Sequence, residues 1–217
     1  NAADMVIWLE THGFYGFDRL LAALSYLNTT APVHADLSQD DGYNFVLDGK
    51  GTTILLCGSE AVDLLRAASK ADSGAGLELT NCYNRTFIIQ RLVKAAESNV
   101  ACVAYWRQLD YCVKVSVEAG DFLPEYKTFS LIEEFDTQSL RIFSGPSLGI
   151  IENQFKQHLK FGSLIDTYES VKMEDCYRNS LEHGVEIDEA LWKTLDDLVS
   201  RVLVESTELS RACAGAG

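Results

Sequence analysis

The histidine nearest the start of the chain stands out by its type and position, because His12 directly precedes Gly13. An imidazole titrates near neutral pH, so this side chain can exchange a proton with a substrate or bind a metal ion. Met5, Trp8, Leu9 and His12 share one helical face, and Gly13 follows where a helix end favours a left-handed residue. We therefore predict His12 as a catalytic acid–base residue. The alternative is a helix-terminal side chain that only hydrogen-bonds the last carbonyls, and the residues leave both open.

A second group of reactive side chains lies near the end of the sequence, in the stretch 207–211, Thr-Glu-Leu-Ser-Arg. The planar guanidinium of Arg211 can hold both oxygens of a carboxylate, and Glu208 precedes it by one helical turn. We predict Arg211, Glu208 and Ser210 as substrate-binding residues, in a Gly-ended segment that can close over a site. The alternative is a surface ion pair on a frayed terminus, which contributes well under about 1 kcal/mol.

The histidines and cysteines form no recognisable metal motif. His12, His34, His158 and His183 include no pair at the i, i+4 spacing of a helical metal site. The six cysteines include no Cys-x-x-Cys, and they stand at positions 57, 82, 102, 112, 176 and 213. We therefore predict no metal site, and the sequence leaves the cofactor undetermined.

Two further segments have both a chemical and a structural interpretation. Cys57-Gly58-Ser59-Glu60 is expected at a strand-to-helix turn, where backbone N–H groups can hold an anion. Because Glu60 and Asp63 would repel a phosphate, we interpret the segment as a buried cysteine followed by a helix that Ser59 caps. Cys82 has no neighbouring base in the sequence to activate its thiol, so we interpret it as part of a polar turn.

Composition excludes several classes of partner. The 217 residues are 47% hydrophobic and carry a net charge of −14. So acidic a surface repels nucleic-acid phosphates and anionic lipid heads, and Lys and Arg form no basic stripe, so we predict neither nucleic acid nor membrane as a partner. Apolar runs such as 54–57 are too short to span a bilayer. With no signal peptide visible, we expect reduced thiols and a cytoplasmic protein.

The elements that must position these residues alternate between helices and strands. The first half of the chain is predicted to begin with two helices within residues 1–30, a loop over 29–42 and a β-hairpin of 43–47 and 52–57. A helix from Ser59 to about Lys70, a short strand at 77–80 and a helix over 86–98 are predicted to follow. The second half is predicted to form an antiparallel hairpin of 100–106 and 111–117, two strands at 129–133 and 139–143 turning at Asp136-Thr137, a helix from Leu148 and a last helix capped by Asp188. The region 161–186 gives no clear prediction. This order indicates an α+β fold with a mostly antiparallel sheet and helical N- and C-terminal segments, in one domain of residues 1–217 with a possible sub-layer at 144–217.

The sequence resembles a bacterial family that is catalogued only as a domain of unknown function. The resemblance rests on a Trp-Leu-x-x-His-Gly segment at residues 8–13 and on Thr-Glu-x-Ser-Arg at 207–211 before an Ala/Gly run. The similarity is strongest at residues 8–13, at Leu56-Cys57-Gly58 and over residues 186–217, and it runs thinly along most of the chain. Cys213-Ala214 departs from the Ala/Gly run. The family carries no established activity, so the resemblance implies no catalytic residue, but a patterned tail implies a functional or interface role for Glu208 and Arg211.

Two hypotheses from different classes follow. The first is an enzyme acting on a small polar or carboxylate-bearing metabolite, with His12 as acid or base and Arg211 as anion clamp. The second is a non-catalytic subunit or binding module whose termini form the interface of a homo-oligomer. The sequence contains no complete catalytic constellation, so whether the protein is an enzyme stays open at this stage.

Overall fold

The computed structural model describes residues 2–27, 34–42, 44–69, 72–132 and 136–202. Its helices are α1 (Ala2–Thr11), α2 (Gly16–Leu27), α3 (Ile54–Ala68), α4 (Ile88–Glu97), α5 (Leu148–Gln154), α6 (Ser170–His183) and α7 (Glu189–Val202). Its strands are β1 (Asp36–Asp40), β2 (Asn44–Thr53), β3 (Ala75–Tyr83), β4 (Ala101–Gln108), β5 (Tyr111–Val117), β6 (Glu125–Ser130), β7 (Leu140–Gly145) and β8 (Leu164–Tyr168).

All eight strands belong to one sheet, in the order β1-β2-β3-β7-β4-β5-β6-β8. Only β2 and β3 run parallel, and α3 makes the crossover between them. The other pairs are antiparallel, and β7 joins β3 to β4 across the middle of the sheet. The predicted α+β class, with a mostly antiparallel sheet, is therefore confirmed.

The two faces of the sheet are covered differently. Alternate side chains of a strand point to opposite faces, so Ile142 joins the large core with α1, α3 and α4, and its neighbour Phe143 joins a smaller cluster with α5. In β4, Ala104 and Tyr105 are divided between the two clusters in the same way. We call the first side the helix-covered face and the second side, where α5 covers only part of the sheet, the open face.

The segment 43–57 corrects two predictions. It forms no hairpin, because β2 continues unbroken from Asn44 to Thr53 and pairs with β3 across a bulge. A Cβ at Gly49 would stand 3.0 Å from the carbonyl oxygen of Asn81, so glycine serves the close approach of β3 rather than a turn. Helix α3 begins at Ile54, and the hydroxyl of Thr53 accepts a hydrogen bond from the N–H of Leu55. Ser59 therefore lies inside the helix and does not cap it.

Other predictions about the strands were wrong. The expected loop 29–42 contains strand β1, which pairs with β2. Strands β6 and β7 do not form a hairpin, because β6 lies between β5 and β8 while β7 lies between β3 and β4. The region without a prediction, 161–186, contains β8 and α6.

Several local predictions are confirmed. The first two helices, α4, and the β4–β5 hairpin occur at the expected places. Asp188 caps α7, since its Oδ1 accepts a hydrogen bond of 2.8 Å from the N–H of Leu191.

Residues 1–184 form one compact unit and residues 185–217 a second. In the described part of the chain, no helix combines the length and the apolar character needed to cross a membrane.

Candidate functional site

His12 follows the last residue of α1 and is positioned by the way that helix ends. The N–H of Phe14 donates to the carbonyl oxygen of Leu9 at 2.8 Å, which turns the chain back. This turn needs Gly13 at φ +80°, as predicted for a helix-ending glycine. A Cβ there would collide with the hydroxyl of Tyr168 and stand 2.9 Å from Sγ of Cys176. Only glycine therefore fits between α1 and the β8–α6 segment.

The imidazole of His12 is held between two aromatic rings and is 6% exposed. Its centroid lies 4.0 Å from that of Trp8 and 4.8 Å from that of Tyr177, with both rings stacked on it. Nδ1 lies 2.7 Å from the carbonyl oxygen of Trp8 and 3.0 Å from Oγ1 of Thr11. Because a carbonyl oxygen only accepts, Nδ1 carries the proton and the lone pair is left on Nε2.

The protonation of His12 follows from this environment. Burial lowers the pKa of His12 below its ordinary value of 6.5, and the hydrogen bond to Trp8 opposes that shift. The ring is therefore neutral at pH 7, and Nε2 has no hydrogen-bond partner among the described residues. The capping role and the acid–base role are compatible, because they use different ring nitrogens.

The segment 164–183, which the sequence left without a prediction, completes the surroundings of His12. The hydroxyl of Tyr168 donates to the carbonyl oxygen of His12 at 3.3 Å, and Oγ of Ser180 donates to that of Thr11 at 3.5 Å. Tyr168 also packs edge-on against Phe14, with centroids 5.1 Å apart. The sequence signal that could have been used is Tyr177, the single Tyr, Phe or Trp of the segment that forms α6.

Arg19 links this helical hairpin to the start of α4. Its Nε donates to the carbonyl oxygen of Phe14 at 2.6 Å, and Nη1 donates to Oγ1 of Thr86 at 3.2 Å. Burial raises the pKa of Tyr126 to about 12, and the charge of Arg19 opposes that shift. Arg19 therefore acts as a fixed cation beneath the turn that carries His12.

The cysteine-containing segments have the structural role, but Cys82 lies wholly buried within strand β3 and not in the predicted polar turn. Burial raises the pKa of the Cys57 thiol to about 12, and it does the same for Cys82. Such thiols stay protonated at neutral pH and are poor nucleophiles. In the described ranges, no three His, Cys, Asp or Glu side chains converge as a metal site.

A cavity of about 360 Å³ lies on the open face, far in sequence from His12. We call it the Arg141 cavity, and its walls include Tyr105, Ser130, Arg141, His158, Lys160 and Phe161. Nη1 of Arg141 donates to the hydroxyl of Tyr105 at 3.2 Å, and Nε lies 3.4 Å from Oε2 of Glu78. A neighbouring cavity of about 340 Å³ shares Arg141 and His158 and adds Asp41 and Glu78.

The structure does not bring His12 and the Arg141 cavity together into one site. Arg141 alternates with Ile142 along β7, so its side chain points to the open face. Trp8 and Tyr168, the neighbours of His12, pack against the core of the helix-covered face. His12 lines neither the Arg141 cavity nor its neighbour. The predicted binding residues Glu208, Ser210 and Arg211 lie outside the described residues, so their distance from His12 stays untested.

Solved structures of dehydrogenases and of a reductase have a similar fold. A proposed malate/lactate dehydrogenase from E. coli matches with a TM-score of 0.61 at 10% identity, covering 97% of this chain and 90% of that chain. Malate dehydrogenase from Pyrococcus horikoshii OT3 matches with a TM-score of 0.57 at 10% identity, covering 94% and 88%. Delta1-piperideine-2-carboxylate reductase from Pseudomonas syringae matches with 0.55 at 12% identity, covering 91% and 89%. At sequence identities of 10–12%, these structural matches show a shared fold and no more.

Comparisons by sequence give a different result. No family model matches the chain, and no curated protein is similar to it in sequence.

Proposed function

We propose that the protein is an oxidoreductase of small carboxylate-bearing metabolites, with His12 as its acid–base residue. The observation that carries the proposal is the neutral imidazole with its proton fixed on Nδ1 and its lone pair on Nε2. Solved structures with this fold supply the reaction class, since they include dehydrogenases of malate and lactate and a reductase of a cyclic carboxylate.

The role of His12 follows from the chemistry of a hydroxy acid. Oxidation to the oxo acid removes the hydroxyl proton and a hydride, and a nicotinamide dinucleotide, if bound, would supply the hydride acceptor. Nε2 of His12 accepts that proton, and in the reverse direction it returns the proton to the carbonyl oxygen. Arg211, supported by Glu208 and Ser210, is the proposed clamp for the carboxylate.

The test uses the intact protein with a panel of small 2-hydroxy and 2-oxo acids, and NAD(H) or NADP(H) absorbance as the readout. His12→Asn keeps an amide N–H near Nδ1, which can still reach the carbonyl oxygen of Trp8, but removes the Nε2 lone pair. We expect it to lower kcat by about 10²–10⁴-fold. His183→Asn, at a side chain 70% exposed, is the matched control and retains full activity.

Two outcomes contradict the proposal. One is turnover of no acid in the panel by the wild-type protein with either nicotinamide. The other is a His12→Asn variant that is folded and as active as the His183→Asn control.

A second candidate function is the non-catalytic subunit that assembles with copies of itself. The observation in its favour is a set of exposed apolar side chains on β8 and α6, which are Leu164, Ile165, Val171 and Leu181. Exposed large apolar side chains are common at interaction sites. Light scattering of the wild type beside Leu181→Glu tests it. A wild-type monomer contradicts this candidate, and an oligomer that the variant splits supports it.

A further inference from the structure

The Arg141 cavity has an unusual charge for this protein. The chain carries 32 acidic and 18 basic residues, yet none of the described residues in the wall of this cavity is acidic. Lys160 contributes one cation to the wall, and Arg141, which is ion-paired with Glu78, contributes a second. A concave, locally cationic surface on an acidic protein concentrates anions and repels cations.

The guanidinium of Arg141 is oriented by its neighbours. It donates to the hydroxyl of Tyr105, and its Cζ lies 5.9 Å from the centroid of that ring. The ion pair with Glu78 lies at the border with the neighbouring cavity. A guanidinium held from two sides loses little conformational freedom when an anion binds, so it is suited to recognition.

Aromatic rings form the apolar part of the cavity. Phe161 packs edge-on against Tyr105 at 5.3 Å and stacks on Phe129 at 5.1 Å. Nζ of Lys114 lies 5.6 Å from the Phe161 centroid. The volume of about 360 Å³ is within the range of small-molecule sites, and walls of this composition suit a flat ring.

We propose that the Arg141 cavity binds a small anion that is joined to a flat ring, with the carboxylate or phosphate at Arg141 and Lys160 and the ring against Phe161. This inference is independent of the proposed function, because the cavity and His12 lie on opposite faces of the sheet. The shared chemistry has two sources, an aromatic carboxylate and a nucleoside monophosphate.

Isothermal titration of the intact protein tests the inference with four probes, which are benzoate, AMP, adenosine and inorganic phosphate. Benzoate and AMP represent the two sources, while adenosine lacks the anion and phosphate lacks the ring. We expect one of the first two to bind at least about tenfold more tightly than adenosine and phosphate, which is the factor given by about 1.4 kcal/mol. Tighter binding of benzoate identifies an aromatic carboxylate as the ligand class, and tighter binding of AMP identifies a nucleoside monophosphate.

Matched variants locate the binding. Lys160→Ala removes an exposed cation of the wall, and Lys156→Ala removes an exposed lysine from the same segment outside the wall. We expect the first variant to weaken binding about tenfold and the second to leave it unchanged. Arg141→Lys keeps the charge but loses the planar fork, and we expect it to weaken binding as well.

Three outcomes overturn the inference. They are no binding by benzoate or AMP, equal weakening by Lys160→Ala and Lys156→Ala, and unchanged binding in both Lys160→Ala and Arg141→Lys. The His12→Asn variant separates this inference from the proposed function. It binds the probes normally if the two sites are independent, whether or not the protein turns over any acid.

Discussion

The helix-covered face of the sheet presents an apolar layer, whereas the open face mixes apolar residues with charged ones. Leu140 and Ile142 of β7 are wholly buried under the helices, while Arg141 between them reaches a cavity. The same strand therefore supplies packing to one side and recognition chemistry to the other. The difference shows that partial cover, by one short helix, leaves room for ligand-sized cavities.

The largest expected effect tests the packing side of that difference. Ile142→Ala removes a wholly buried side chain from the helix-covered face, and we expect it to cost about 2–5 kcal/mol of unfolding free energy. Arg141→Met, one residue away, keeps a long side chain on the open face, and we expect a cost below about 1.5 kcal/mol. Urea unfolding of both variants measures this, and equal costs would show that the two faces are packed alike.

The next effect concerns the turn that carries His12. Gly13→Ala introduces a Cβ at φ +80° that also collides with Tyr168, and we expect a loss of about 3 kcal/mol. Gly51→Ala is the control, because its φ is +75° with no atom within 4 Å of the new Cβ. Backbone strain alone then costs about 1–2 kcal/mol. If thermal unfolding gives both variants the same loss, Tyr168 does not hold the turn.

The smallest effect is the pH dependence that His12 contributes. The pKa of His12 is lower in the folded protein than the ordinary value of 6.5, so the unfolded chain binds its proton more readily. Its contribution to stability is therefore fully present above about pH 6.5 and is lost as pH falls below it. We expect His12→Asn to have a shallower loss of stability between neutral and mildly acidic pH than His183→Asn. Identical curves would contradict burial of a neutral imidazole.

Local signals in the sequence predicted the elements whose contacts are local. The helical hairpin of α1 and α2 is one such element, and the β4–β5 hairpin is another. The turn at Gly13 was predictable because a left-handed helix end favours glycine. The position of Arg211 and its neighbours near His12 stays a prediction, as does the family resemblance that suggested it.

Long-range pairing was not predictable from one sequence. The run Asp48-Gly49-Lys50-Gly51 has the composition of a turn, but β3 pairs with Asp48 before the irregular residues 49–51 and with Thr52 after them, so the strand continues. The Arg141 cavity was missed for the same reason, since its wall combines residues from β4, β7 and the segment 157–161 that no spacing rule connects. Only the order of the strands reveals which of these residues become neighbours.

The central place of β7 has a consequence for how the chain reaches its folded state. Strands β1 to β3 lie on one side of β7, and β4, β5, β6 and β8 lie on the other. β7 is synthesised after β3 and β4, so the two halves of the sheet have no hydrogen-bonded link until Leu140–Gly145 has emerged. Closing such a distant contact is slow because the loop entropy is lost first. We therefore expect the sheet to be completed only when this strand pairs with β3 and β4.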